Sequence, residues 1–160
     1  MAGGARRSQI VGVISDTHGL VRPQALAALR GADIIVHAGD IGSPEVLIAL
    51  RAIAPLTAIR GNNDRFDWAR TLDDTAVVRV GDAELYVVHD VHDLDLDPRA
   101  AGFAAVIAGH SHRPAIAERD GVLYVNPGSA GPRRFALPVA VARLRVGGDR
   151  VTGELVVLDV

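Results

Sequence analysis

Gln9-Ile-Val-Gly-Val-Ile-Ser-Asp-Thr-His-Gly19 is the stretch that decides the fold. Its first half is a nearly continuous apolar run rich in β-branched residues, and its second half is a polar loop. A strand that is apolar on both faces belongs in a sheet covered on both sides, the usual setting of parallel strands in α/β proteins. The pattern recurs twice downstream. Asp33 to His37 (DIIVH) runs into Ala38-Gly39-Asp40, and Leu56 to Ile59 runs into Gly61-Asn62-Asn63-Asp64. Between these strands, Pro23 to Arg30 reads as a short helix stopped by Gly31. Ser43 and Pro44 read as the N-cap and first residue of a helix to about Arg51. Strands of this kind collect their C-terminal loops along one edge of the sheet, where α/β folds bind ligands.

After Asp67 the texture changes to short strand patterns separated by tight turns. Ala76 to Val80, Glu84 to His89, Ala104 to Ala108, Ala115 to Glu118, Val122 to Val125, Val139 to Val146 and Val151 to Leu158 alternate with turns such as Gly81-Asp82, Asp120-Gly121 and Gly147-Gly148-Asp149. That pattern predicts hairpins. Asp90 to Arg99 is too polar for a strand and predicts a loop ending in at most one helical turn near Pro98 to Gly102. No repeat or linker interrupts the chain, so residues 1–160 are expected to form one domain, with residues 1–8 as a disordered tail.

Composition narrows the chemistry. Hydrophobic residues make up 49% of the 160, enough for a substantial core. No apolar run approaches the roughly 18 residues of a membrane-spanning helix. Arg6 and Arg7 before the first apolar run mimic a signal peptide, but that run ends at Asp16 with no small-residue cleavage site, so a cytoplasmic protein is expected. The absence of cysteine excludes disulfides, thiolate nucleophiles and cysteine-held metals; any metal must sit on His, Asp, Glu or Asn. All 17 basic residues are arginine, which excludes Schiff-base chemistry and a P-loop, and their scatter forms no dedicated nucleic-acid-binding stripe.

The residues ending the apolar runs carry the functional reading: Asp16-Thr17-His18, Gly39-Asp40, Gly61-Asn62-Asn63-Asp64, His89 and Gly109-His110-Ser111-His112. Asp16 and His18 are two apart, as are His110 and His112, so in extended backbone each pair projects to one side. Two Asp, one Asn and four His are a nitrogen and oxygen donor set suited to divalent first-row metals and poorly suited to Mg or Ca. Seven donors exceed what one ion takes but fill two sites if a carboxylate bridges. Such a pair of ions suits hydrolysis of phosphate esters through a hydroxide held between them. Each motif alone is also what an ordinary turn looks like, and only their combination in order points to a metal centre.

That ordered series, followed by Asn126-Pro127-Gly128-Ser129, resembles the calcineurin-like metallophosphoesterase superfamily, and most of all its small single-domain YfcE/Vps29-like branch. The resemblance spans Gln9 to Ser129 and, with the terminal hairpin, nearly the whole chain. It implies a four-layer α/β/β/α sandwich of two mixed sheets with helices outside. It also implies that Asp16, His18 and His112 hold one metal ion, that Asn62, His89 and His110 hold another, and that Asp40 bridges them. Asp40, Asn62 and His110 are assigned to catalysis, and Asn63, Arg65 and His92 to substrate contact. The implied activity is phosphodiester hydrolysis with two divalent transition-metal ions, manganese first, with nickel, iron, cobalt or zinc as alternatives. The partner is a small phosphate-ester substrate; no membrane is involved, and homo-oligomerisation stays open. The alternative is a non-catalytic protein-interaction scaffold of the Vps29 kind.

Two departures from the family pattern stand out. Many larger members carry a proton-donating His after the ligand Asn, whereas this chain has Asn63, which implies slow turnover of alkyl esters. Asp90 replaces the Gly that commonly follows the fourth-motif His, and His92 comes two residues later. Asp90 then orients a ligand His, reaches a metal through water, or is solvated. His37, inside the second strand, is expected to pack or bond a neighbouring loop rather than to bind metal. Arg22 and Arg65 are the cations nearest the centre in sequence. Trp68 and Phe66 are expected to pack, and Asn126 to Ser129 to shape the rim of the site.

Overall fold

The structure, a computed structural model, describes residues 8–160; the expectation of a disordered tail falls almost entirely on residues 1–7, outside the described residues. The chain runs β1 (Gln9–Ile14), α1 (Pro23–Leu29), β2 (Ile34–His37), α2 (Pro44–Arg51), β3 (Leu56–Ala58), β4 (Thr75–Val80), β5 (Ala83–Val88), α3 (Pro98–Ala101), β6 (Ala105–Ile107), β7 (Ala115–Arg119), β8 (Val122–Asn126), β9 (Ala140–Gly147) and β10 (Arg150–Val157). Single 3-10 turns lie at Asp67–Ala69 and Val91–Asp93.

Two five-stranded sheets form, in the orders β10-β9-β1-β2-β3 and β4-β5-β6-β8-β7. β1, β2 and β3 are parallel, and the β9–β10 hairpin is added antiparallel to β1. The alternating inward side chains of both sheets meet in one core, with Val11, Val13 and Val36 from the first sheet against Val78, Leu85, Val87, Ile107 and Val125 from the second. α1 and α2 cover the outside of the first sheet, packing Leu29, Val46, Leu47 and Leu50 over Ile14, Ile35 and Val141. The outside of the second sheet is covered more thinly, by Leu94, Leu96 and Phe103 over Tyr86, Val88 and Val106. The result is the four-layer sandwich of two mixed sheets with helices outside. Among the described residues no helix is long and apolar enough to cross a membrane.

Two details differ from the sequence expectation. Three hairpins form beyond Asp67, but β6 pairs parallel with both β5 and β8, so the middle of the second sheet is not a hairpin meander. Ala105, Val106 and Ile107 are all buried, and a strand apolar on both faces suits this central parallel position. Ser43 occupies the N-cap of α2 with extended dihedrals, yet its hydroxyl makes no capping bond. The helix start rests instead on Pro44, whose fixed φ is already helical and whose missing N–H needs no partner.

Candidate metal centre

The loops after β1, β2, β3, β5 and β6 converge at the C-terminal edge of the two sheets, and backbone bonds stitch them together. Asp16 N donates to Gly39 O, His18 N to Asp40 O, and Gly109 N to His89 O, at 3.0, 3.0 and 2.8 Å. Asp64 closes the third loop onto the second: its carboxylate accepts from Gly61 N (2.9 Å), Ile41 N (3.0 Å) and Gly42 N (3.0 Å). A buried carboxylate with three backbone donors is a strong local fastener. Gly61 packs so close to Asp40 that a Cβ there would strike the Asp40 backbone and Oδ1. Gly109 is pressed in the same way against Ser15 and Asp16.

Among the described residues seven non-glycine residues have positive φ, and five of them are proposed ligands: Asp16 (54°), His18 (47°), Asp40 (56°), His110 (70°) and His112 (62°). Asp and His tolerate this left-handed region better than most residues, but it still costs roughly 1 kcal/mol or more each. Strain concentrated on one set of polar side chains marks a site whose geometry the surrounding fold enforces. The expectation of extended backbone at the Asp16/His18 and His110/His112 pairs is therefore corrected. The left-handed turns aim Asp16 and His18 into one cluster but send His110 and His112 into different ones.

One cluster joins Asp16, His18 and His112, and the other joins Asp40, His89 and His110; in each, the ligand atoms lie within 4.8 Å of one another. Asp16 Oδ1 stands 3.4 Å from His112 Nε2, and His112 Nε2 is 3.4 Å from His18 Nε2. Asp40 Oδ2 stands between the clusters, 3.3 Å from His89 Nε2 and 3.9 Å from His18 Nε2. Asn62 lines the same cleft as His89 and His110. Asp16 Oδ1, His89 Nε2 and His112 Nδ1 are buried without a hydrogen-bond partner, and the first two face the clusters, 3.4 Å from His112 Nε2 and 3.3 Å from Asp40 Oδ2. Buried polar atoms are rarely left so, and Asp16 Oδ1 and His89 Nε2, both aimed into the donor clusters, fit a divalent cation as the missing partner.

The neighbours of these residues fix their orientation. His89 Nδ1 lies 2.7 Å from Ala38 O, and since a carbonyl only accepts, that nitrogen keeps its proton and Nε2 is the atom that would release its proton to a cation. Asp16 Oδ2 accepts from Ser15 Oγ (2.7 Å) and His110 N (3.0 Å), which leaves Oδ1 aimed at the cluster. The segment after Asn126 braces the first loop: Ser129 Oγ donates to Asp16 O, and Ala130 N to Ser15 O.

Burial opposes charge on His89, but the Asp40 carboxylate and the Ala38 carbonyl outweigh it and push its pKa up to about 9. Asp40 is likewise held well below the usual carboxylate range, with burial opposing and His89 and the Asn63 amide prevailing. Such a pocket favours positive charge in its middle.

The remaining sequence assignments fall as follows. Asn63 turns inward, and both its backbone N and its Nδ2 donate to the Asp40 carboxylate, each at 3.0 Å. Arg65 Nε bonds Asn62 O, within its own turn, and Arg22 bonds Gly131 O. His92 is 88% exposed and its Nδ1 lies 3.0 Å from Asp90 Oδ1, while Asp90 Oδ2 is 3.7 Å from His110 Nε2. Asp90 thus sits between the two histidines. Trp68 packs under α2's cluster, whereas Phe66 is exposed.

His37 is fully buried, and its Nδ1 accepts from Gly39 N, so Nε2 carries the proton toward Thr17 Oγ1, whose hydroxyl donates to Ile41 O. Burial pushes its pKa down to about 4. A base neutral in the fold but protonated when unfolded contributes stability above pH 6.5 that is lost as pH falls toward 4. For the protein stripped of metal by EDTA, His37 should account for about 3 kcal/mol of stability lost between pH 7 and pH 4, read as the difference in urea unfolding between wild type and His37→Gln. His37→Gln should flatten that slope; an unchanged slope in the variant would assign it to another group.

The family model for the calcineurin-like phosphoesterase superfamily domain matches residues 10–149. A probable metallophosphoesterase of Methanothermobacter thermautotrophicus is 35% identical over 158 residues, covering 92% of this chain and 91% of its own. A phosphodiesterase of Methanocaldococcus jannaschii is 28% identical over 137 residues, covering 74% and 82%. Among solved structures, vacuolar protein sorting 29 from Cryptosporidium parvum superposes with a TM-score of 0.80 at 19% identity, covering 95% of this chain and 92% of its own.

Proposed function

Because this chain belongs to the calcineurin-like phosphoesterase superfamily, we propose that it is a phosphodiesterase working with two divalent transition-metal ions, manganese first and nickel, iron, cobalt or zinc as alternatives. The observation that carries this reading is the pair of donor clusters sharing one wall, with their buried ligand atoms lacking any other partner. In this reading Asp16, His18 and His112 hold one ion, Asn62, His89 and His110 hold the other, and Asp40 serves both. Two such ions supply Lewis acidity toward a phosphate and a water nucleophile at neutral pH. The chain's own part is to hold the donors rigid: Asp64 locks the Asp40 loop to the Asn62 loop, and the Ala38 carbonyl presets the His89 tautomer. The related phosphodiesterase of M. jannaschii supports the diester preference.

The protein purified with Mn2+ should contain about two metal ions per chain. It should also hydrolyse bis(p-nitrophenyl) phosphate in a metal-dependent way. Two bound ions without hydrolysis would sink the diesterase reading. A protein that binds no metal would favour the scaffold alternative.

A further inference from the structure

A trough on the outer face of the second sheet starts at the metal-ligand loop. In the β7–β8 pairing Ala115 lies opposite Asn126 and Ala117 opposite Tyr124, so small side chains face large ones along an edge strand. The groove that results has a volume of about 220 Å³ and is bounded by Val91, Ser111, Arg113, Arg119 and Tyr124. That exceeds the roughly 150 Å³ that accommodates benzene. Its near end reaches the loop that carries two of the ligands. Ser111 lies between His110 and His112, and Asn126 Nδ2 donates to both Gly109 O (3.1 Å) and Ser111 Oγ (3.0 Å). Its far end is aromatic, with the Arg119 guanidinium 5.1 Å from the Tyr124 ring centroid.

Charge distinguishes the two directions out of the centre. Among the described residues, neither Arg113 nor Arg119 is paired with a carboxylate. The cleft on the other side of His89 and His110 is lined by Asp74, Asp90, Asp93 and Asp95, and its one arginine, Arg60, is held by Asp74 at 2.9 Å. An ester bound by its phosphate at the centre is therefore repelled on one side if it carries further negative charge, and attracted along the trough. Resting on the phosphodiesterase reading above, we propose that this trough seats the non-reacting half of a nucleotide-like diester, its ring on the alanine floor beside Tyr124 and a second phosphate drawn by the flanking arginines.

The test compares p-nitrophenyl thymidine 5′-phosphate with and without a 3′-phosphate on the Mn2+-loaded protein. Both release p-nitrophenolate, so the chemistry of departure is the same. The 3′-phosphate should lower KM about tenfold, the order that one or two solvent-exposed charge-assisted bonds supply. In Arg113→Ala/Arg119→Ala that ratio should fall to about one, and in the double Glu variant it should invert. Calorimetry with thymidine 3′,5′-bisphosphate reads the trough without turnover, and the alanine variant should bind about tenfold more weakly. Wild-type turnover with no effect of the 3′-phosphate, or a preference that survives charge reversal, overturns the trough alone. Arginine-dependent bisphosphate binding with no hydrolysis of either ester overturns the phosphodiesterase reading and leaves the trough standing.

Discussion

Asp40→Asn will reduce metal-dependent phosphodiester hydrolysis by roughly a thousandfold or more, the largest single-residue effect expected in this chain. Asp40 Oδ2 stands between the two donor clusters, 3.3 Å from His89 and 3.9 Å from His18, and its approach to His89 is closer than that of Asp16 Oδ1, at 3.9 Å. Losing its charge weakens both cation sites at once, whereas losing any histidine weakens one. The fold should tolerate the change. The asparagine carbonyl still accepts from Asn63 N, while the attraction between Asp40 and His89 in the stripped protein is lost. Metal titration separates the causes: the variant should bind Mn2+ more weakly in both steps, and its melting temperature in EDTA reads separately the cost of the lost His89 partner. Near wild-type turnover with two ions bound would show that Asp40 does not serve both.

Much of this arrangement was legible because each ligand loop follows a strand that announces itself. Val11 and Val13 face the core and Ile14 packs under the helices, so Gln9 to Ser15 reads as buried on both faces whatever its partners. The helix starts were legible at Pro23 and Pro44 for a similar local reason. What stayed hidden depends on long-range pairing or on dihedrals. Nothing local to Ala105–Ile107 says that β6 is parallel to both neighbours, because periodicity reports burial and not strand direction. The parting of His110 and His112 between the clusters, which the family resemblance implies, is not visible in their spacing, because both depart from extended backbone into left-handed φ. Asp64 appears in the motif with no assigned role, yet it fastens two ligand loops through three backbone N–H groups. A Gly-Asn-Asn-Asp turn closing on a neighbouring Gly-rich loop was the available signal. The inward turn of Asn63 toward Asp40 is a contact between residues 23 apart, which no local pattern carries.

That inward turn bears on the second large effect, the dependence of rate on the leaving group. Asn63 stands where other family members place a proton-donating His, and its amide is committed to the Asp40 carboxylate. An amide does not protonate a departing oxygen, so an alkoxide must leave as an anion, whereas a nitrophenolate is stable as one. Across a series of phosphodiesters from nitrophenyl through phenyl to alkyl, kcat/KM should fall steeply with leaving-group pKa. Alkyl esters should lie slower than nitrophenyl esters by more than about 10⁴-fold, the upper range of what a positioned general acid restores. Asn63→His introduces the missing donor but removes the Nδ2 bond that steadies Asp40, so its gain on alkyl esters should stay below that ceiling and its nitrophenyl rate should drop. The unmutated series is therefore the sharper measurement. A flat series would mean that another group supplies the proton. His92, whose Nδ1 is tied to Asp90 and whose Nε2 is left to solvent, would then be the first residue to replace.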